Sequence, residues 1–392
     1  MRVQLKELVK GYIYFGLLFR IKTNYKIMKI LKPNNKFYKI QLNNKQYAKS
    51  LAIYFSAGLG DYLMFRPFLK EIRTYYKNYR ISIIGEQSFK DLCLEYDKDS
   101  IDEFIYFKQN MGFNAYVMPN INYDILISAF HKLHENTENN VNCIQAKEKI
   151  GLIYGCSELS LNDRERIANT VFTKAIYLKK QEDFQALHYK EFFEILFNKT
   201  IDFKINLELN MQYYKNINFN FDTKYAIIFA GSKDKARIWD AKNYEKVCEF
   251  LYKKYGIISF IAGSKNEEKI ARKIINSKQY IISICGKYNI KDIVYITSKA
   301  KLVISNDSGG YHLACNASKN IICISSGACF AENVNYPKEV FLTQKNISTP
   351  IAQKALENKY SEYWRFDKKL LNTIEANEIC KLIDLKYSKE LQ

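Results

Sequence analysis

Leu302-Val303-Ile304-Ser305-Asn306 runs directly into Asp307-Ser308-Gly309-Gly310-Tyr311-His312-Leu313-Ala314. The first five residues have the length and apolar character of a buried strand, and the next eight read as a tight turn opening a helix. Asp307 or Ser308 caps that helix, while Gly309 and Gly310 let the backbone approach a ligand closely. Unpaired N–H groups and the helix dipole stabilise negative charge at such an end, which suits a diphosphate, and His312 in the same turn adds a donor. A capped helix with a glycine turn and nothing bound has the same local sequence. The stretch therefore decides the fold class before it decides a ligand: strand, turn, helix is the grammar of an α/β sheet.

That grammar recurs on both sides of it. Upstream, Tyr225 to Ala230 reads as a strand, Gly231-Ser232 as a turn and Asn243 to Tyr255 as a helix. Ile257 to Gly263 and Tyr280 to Cys285 are further strands, with helices over Glu267 to Asn276 and Ile290 to Ala300, and Ile321 to Ile324 follows one helix later. The first half repeats the pattern. Leu51 to Phe55 is an apolar run, Gly58-Leu59-Gly60 turns, and Leu63, Phe65, Phe68, Leu69 and Ile72 recur at helical spacing. Ile81 to Gly85, Glu103 to Tyr106 and Tyr123 to Ser128 are three more strands. Strands alternating with helices predict doubly wound parallel sheets, one in each half. The polar run His134 to Asn142 reads as a loop, and the Asn- and Tyr-rich stretch Asn206 to Asp222 marks the junction. The expected organisation is a basic extension over 1–50, domains over 51–215 and 216–345, and a C-terminal segment over 346–392. The helix of that segment, over Asn372 to Tyr387, is expected to cross back to the first domain.

A chain of 392 residues that is 47% hydrophobic has material for two cores. Lys and Arg outnumber Asp and Glu 60 to 41, a formal charge of +19, so phosphates, anionic lipid headgroups or acidic glycans are the expected partners. The basic residues are spread along the chain rather than gathered into an arginine-rich arm, which argues against nucleic acid. Nine cysteines without a Cys-x-x-Cys pair read as buried thiols of a reducing compartment. No stretch has the length of a membrane span and the N-terminus lacks a secretory signal pattern, so a cytoplasmic location is expected. Leu5, Leu8, Val9, Tyr12, Phe15 and Leu18 recur at helical spacing among Lys6, Lys10, Arg20 and Lys22. That helix suits a membrane surface or packs on the first domain. No metal is expected: Asp97-Lys98-Asp99 reads as a solvated loop, and His131, His134 and Glu135 lack further ligands nearby.

Other strand ends carry chemistry as well. In Ser56-Ala57-Gly58-Leu59-Gly60-Asp61, the glycines suggest a dinucleotide turn, and Glu86 at the end of the next strand could hold a ribose. This supports an NAD-dependent oxidoreductase as the alternative. The third glycine of that fingerprint is absent, however, with Leu63 in its place, and the Asp61 carboxylate would repel a pyrophosphate. At a helix start facing a cleft, Asp61 suits a general base or a plain cap. On the loop Gly231 to Trp239, Ser232, Lys233, Lys235 and Arg237 can meet a departing phosphate, or form a solvated charge run. Glu267, after Gly263, can accept hydrogen bonds from a ribose or base, or simply favour its own helix start.

Taken in order, Gly58-x-Gly60-Asp61, Arg237-x-Trp239, Gly263-x-x-x-Glu267 and Asp307-Ser308-Gly309-x-x-His312 resemble the heptosyltransferases of glycosyltransferase family 9. The resemblance spans about residues 51–335. It implies a GT-B fold of two Rossmann-like domains facing across a cleft, and an inverting, metal-independent transfer of heptose. The implied donor is a nucleotide-sugar, typically ADP-heptose, with no further cofactor, and the implied acceptor is a lipopolysaccharide core or related anionic glycolipid. Asp61 then matches the catalytic base, Glu267 the residue near the nucleoside, and Asp307, Ser308, Gly309 and His312 the diphosphate turn, with Gly310 beside them. Arg237 stands where the family usually has lysine, which leaves Arg237 or Lys235 to meet the diphosphate. Such an enzyme would work at the inner face of the cell membrane, held by its charge. A nucleotide-sugar-binding protein without catalysis is the non-enzymatic alternative.

Overall fold

The computed structural model describes residues 37–107, 121–129, 135–154, 160–179, 184–209, 211–327, 333–337, 345–348 and 368–392. Its strands form two sheets. The first holds β1 (Phe37–Gln41), β2 (Lys49–Phe55), β3 (Tyr79–Gly85), β4 (Glu103–Phe107), β5 (Asn122–Ser128), β6 (Gln145–Ile153) and β7 (Lys174–Tyr177), in the order β1-β4-β3-β2-β5-β6-β7. All neighbours are parallel except β1, which runs antiparallel to β4 at the edge. The second sheet holds β8 (Tyr225–Phe229), β9 (Ile258–Ile261), β10 (Ile281–Ser283), β11 (Leu302–Asn306), β12 (Asn320–Ile324) and β13 (Lys345–Ser348). It is wholly parallel, in the order β10-β9-β8-β11-β12-β13. Leaving β1 aside, both sheets have the doubly wound Rossmann order.

The apolar runs follow from burial on both faces. Leu51, Ile53 and Phe55 of β2 enter one core, and Ala52 and Tyr54 enter another on the opposite side. In β8, Tyr225, Ile227 and Phe229 face the first core while Ala226 and Ile228 face a third. Strands covered on both faces have no polar alternation to show, so they read as continuous hydrophobic runs.

Helices fill the crossovers. The helical run after Gly58 is interrupted as its proline requires: α1 (Leu59–Phe65) passes into a 3-10 turn at Arg66–Phe68 and then α2 (Leu69–Tyr75). Pro67 has no N–H to continue the α-helical ladder. The stretch expected as a loop over His134 to Asn142 is instead largely a helix, α3 (Glu135–Cys143). A parallel crossover from β5 to β6 needs such a cover, and α3 supplies it with Val141 fully buried and Asn140 bonded to the Tyr54 hydroxyl at 2.8 Å. Further along come α4 (Gln185–Phe197), α5 (Ala241–Tyr255), α6 (Ile290–Lys299) and α7 (Gly309–Ala317).

Three other expectations change. The first sheet starts before residue 51, since β1 lies within the segment assigned to the extension. The amphipathic pattern from Leu5 to Leu18 lies outside the described residues, as do His131 and His134. The last helix, α8 (Ala376–Leu391), stays on the second domain. Its stripe Ile379, Ile383, Tyr387 and Leu391, one residue per turn, joins the core of the second sheet. The Tyr387 hydroxyl donates to Ile321 O at 3.0 Å, and Lys254 of α5 pairs with Asp384 at 2.5 Å. Asp97 is not solvated either. It is buried, takes both Arg66 Nε and Nη2, at 3.1 and 2.9 Å, and accepts from the Tyr62 hydroxyl at 2.6 Å. Arg66 Nη1 also bonds Asn206 O at 2.8 Å, so this ion pair ties the first domain to the chain entering the junction.

Candidate active site

In a doubly wound sheet the crevice opens where the strand order reverses, beside the carboxyl ends of β2 and β5 and of β8 and β11. The Gly58–Asp61 turn follows β2, the Gly231–Trp239 loop follows β8, and Asp307 follows β11. The two sheets bring these ends together. A Cβ placed on Gly309 would lie 3.5 Å from Leu59 Cβ, and one on Gly60 would lie 2.5 Å from His312 Cδ2 and 3.2 Å from Nε2. The starts of α1 and α7, one from each domain, are therefore in van der Waals contact.

Asp61 is the third residue of α1 and half-buried. Its Oδ2 accepts from Gly58 N–H at 3.2 Å, the capping role. Its Oδ1 accepts from Gln185 Nε2 at 3.1 Å, and that same nitrogen meets the Tyr189 hydroxyl at 2.7 Å. Burial, with Asp61's charge beside it, holds the Tyr189 phenol well above its ordinary pKa, so it stays protonated.

On the other side, Ser308 is the extended N-cap of α7, without a side-chain cap bond, and Gly309 and Gly310 are the first helical residues, whose N–H groups have no intrahelical acceptor. Gly310 is required by packing, since a Cβ there would meet the Phe229 ring at 2.5 Å. His312 is buried, and its Nδ1 shares a 2.7 Å hydrogen bond with the Tyr336 hydroxyl. Burial, and then the charge of Arg237, pushes His312 down to about 3, so the imidazole is neutral at physiological pH. Tyr336 is held in turn by its surroundings: its ring packs 4.5 Å from Phe184, and Tyr311 OH donates to Val334 O at 2.6 Å on the same segment.

The Gly231–Trp239 loop separates its cations. Arg237 is half-buried with Nη1 3.5 Å from Oδ1 of the buried Asp307, whereas Lys235 is exposed. Lys233 lies 3.4 Å from Glu86, so the acid that suggested a ribose site faces a cation of the other domain. Ser232 Oγ accepts from Asp234 N–H at 3.3 Å. Glu267 Oε2 accepts from Ser264 N–H at 2.6 Å, closing its helix start, and its carboxylate covers Gly231, where a Cβ would fall 1.5 Å from Oε1. Glu267 thus lines the ends of β8 and β9.

Several residues that build the site were not singled out from sequence. Asn306, fully buried at the end of β11, accepts from Trp239 N–H at 3.2 Å and from Tyr244 OH at 2.8 Å, and donates to Ala230 O at 2.6 Å. It locks the cationic loop to the strand that carries Asp307. An Asn closing an apolar strand was a visible signal for it. Gln185 and Tyr336 had none, because they reach Asp61 and His312 from 124 and 24 residues away.

Residues 122–324, more than half of the chain, match the family model of glycosyltransferase family 9 (heptosyltransferase). The chain is 21% identical to lipopolysaccharide heptosyltransferase 1 of Campylobacter coli over 366 residues, 87% of this chain and 99% of that protein. Among solved structures, a family 9 glycosyl transferase of Veillonella parvula superposes with a TM-score of 0.62 at 16% identity, covering 89% of this chain and 98% of the other. The E. coli heptosyltransferase WaaC, solved with ADP, gives 0.60 at 16% identity, covering 87% and 99%. At such identities the two structures establish the shared GT-B fold.

Proposed function

The chain belongs to glycosyltransferase family 9, the heptosyltransferases, and from that premise we propose that it transfers heptose from ADP-heptose to a lipopolysaccharide core or related cell-surface glycan, with inversion and without a metal. The observation that carries the reading is the contact of α1 with α7, which sets an acid-base group from one domain against an anion-binding helix start from the other. The ADP of the donor is supported by the relative solved with ADP and by the helix start at Ser308–Gly310, whose N–H groups are without intrahelical acceptors.

Asp61 takes the proton of the acceptor hydroxyl while that oxygen attacks the anomeric carbon from the face opposite the nucleotide. The bond from the anomeric carbon to the β-phosphate oxygen breaks, and ADP leaves with the charge. The Gly309 and Gly310 N–H groups, the dipole of α7 and the guanidinium of Arg237 stabilise that charge as it develops. If the Tyr336 hydroxyl donates to Nδ1, the neutral His312 carries its proton on Nε2 and offers it to the diphosphate. Arg237, rather than the exposed Lys235, is the cation for this role, because it already sits over Asp307. Glu267 and Ser232 border the nucleoside side of the same cleft. The surface charge of +19 holds the enzyme at the anionic inner face of the membrane, where its acceptor is found.

The test pairs binding with turnover. Calorimetry with ADP, UDP, GDP and NAD should give tightest binding for ADP; a preference for NAD would overturn the reading. Asp61→Asn should bind ADP-heptose as the wild type does, yet release ADP at least ~100-fold more slowly when offered a heptose-deficient lipopolysaccharide core.

A further inference from the structure

Gln185 is the first residue of α4, fully buried, and placed 124 residues from the carboxylate it touches. Burying a carboxamide in an aromatic core is unfavourable unless its polar atoms are satisfied. Here only the nitrogen is: it reaches Asp61 Oδ1 at 3.1 Å and the Tyr189 hydroxyl at 2.7 Å, while Oε1 has no hydrogen-bond partner among the described residues. An unbranched apolar side chain of the same length would fill the space without that cost. The two N–H groups are therefore what the position supplies, and one of them ends on Asp61.

We infer that Gln185 is a positioning residue for Asp61, fixing the carboxylate so that one face of it stays turned to the acceptor hydroxyl. This rests on the reading of Asp61 as the base. Two donors approach the carboxylate from different elements, Gly58 N–H on Oδ2 from the turn before α1 and Gln185 Nε2 on Oδ1 from α4. Two fixed points set its plane, and each oxygen keeps a lone pair for the incoming proton. Without the second donor the group is free to rotate about its side-chain bonds, and a base out of line by a fraction of an ångström loses rate rather than affinity. The other titratable or charged groups around Asp61 are Tyr189 on α4, Tyr336, His312 on α7, and beyond them Asp307 and Arg237. Tyr189, Tyr336 and His312 are held neutral by burial, so a carboxylate introduced at 185 would be the closest new charge.

The experiment measures ADP release from ADP-heptose with the heptose-deficient core as acceptor, in wild type, Asp61→Asn, Gln185→Met and Gln185→Glu. Gln185→Met keeps the packing and removes the donor: kcat should fall at least ~10-fold, with the ADP dissociation constant and the donor KM within about twofold of wild type. Gln185→Glu sets a second carboxylate beside the first, and the acidic limb of the rate–pH profile should move up by about one unit. That shift requires the side chain at 185 to lie against the ionised Asp61, a contact that a residue serving only the packing of the core would not make. Wild-type kcat in Gln185→Met together with an inactive Asp61→Asn would overturn the positioning role alone. Full turnover in Asp61→Asn would overturn the base and the positioning role together. If Gln185→Met does not fold cooperatively, the profile of Gln185→Glu decides, and an unmoved limb overturns the inference.

Discussion

At His312 the protonation state is a consequence of packing. An imidazole in the unfolded chain takes up its proton near pH 6.5, whereas in the fold burial and Arg237 delay this to about 3. Between those values the unfolded state holds more protons, so the stability due to this site is complete above pH 6.5 and declines as the pH falls. Between pH 7 and pH 5 the loss amounts to roughly 2 kcal/mol. His312→Gln should lack that increment, and urea unfolding of the two proteins at both pH values measures it. Equal acid sensitivity would mean that the imidazole accepts protons within the fold. The residue type and its place in the first turn of a helix were legible in the sequence, but the neutrality was not. It depends on Tyr336, Gly60 and Arg237, which no spacing rule relates to His312.

Among the elements, the starts of α1 and α7 decide the site, and the two glycines of the first turn contribute unequally. A Cβ on Gly58 would meet only Asp61 Oδ2, at an ordinary 3.7 Å, while one on Gly60 would run into the His312 ring at 2.5 Å. Gly58→Ala should change stability by less than about 0.5 kcal/mol. Gly60→Ala should cost roughly 1–3 kcal/mol and slow ADP release, because the two helix starts must part to admit the methyl group. Denaturant midpoints and turnover of both variants check this, and a neutral Gly60→Ala would show that the contact relaxes freely. Strand and turn signals located these elements because buried parallel strands are largely apolar and the turns that follow carry glycines. The helix α3 escaped the same reading. Its sequence is polar, and the helix is dictated by the geometry of a parallel crossover rather than by an apolar stripe.

For the whole molecule, charge and domain pairing set the working context. The excess of Lys and Arg, +19 in all, favours an anionic surface, and no helix among the described residues is long and apolar enough to cross a membrane. Association with vesicles containing an anionic lipid should therefore weaken steeply as salt is raised, since screening at 0.15 M already confines each charge to about 8 Å. Co-sedimentation across a salt series measures it, and binding that is indifferent to salt would sink the electrostatic account. The domain pairing rests on contacts that join distant stretches: Lys291 with Glu95 at 2.6 Å and Leu207 N–H with Asn316 O at 3.1 Å.

The alternation of apolar runs, glycine turns and helical stripes was sufficient to indicate two doubly wound sheets, because local burial and backbone freedom leave their mark residue by residue. The order of Asp61, Arg237, Glu267 and Asp307–His312 was sufficient to indicate the family. Tertiary structure alone decided which partners those residues have. It set Gln185 on Asp61 and Tyr336 on His312, chose Arg237 over Lys235 for Asp307, and kept the last helix on the second domain. The physical reason is common to all four. Each is a contact between segments far apart in the chain, selected by how the elements of one domain pack around its sheet, and neither propensity nor periodicity carries information over that distance.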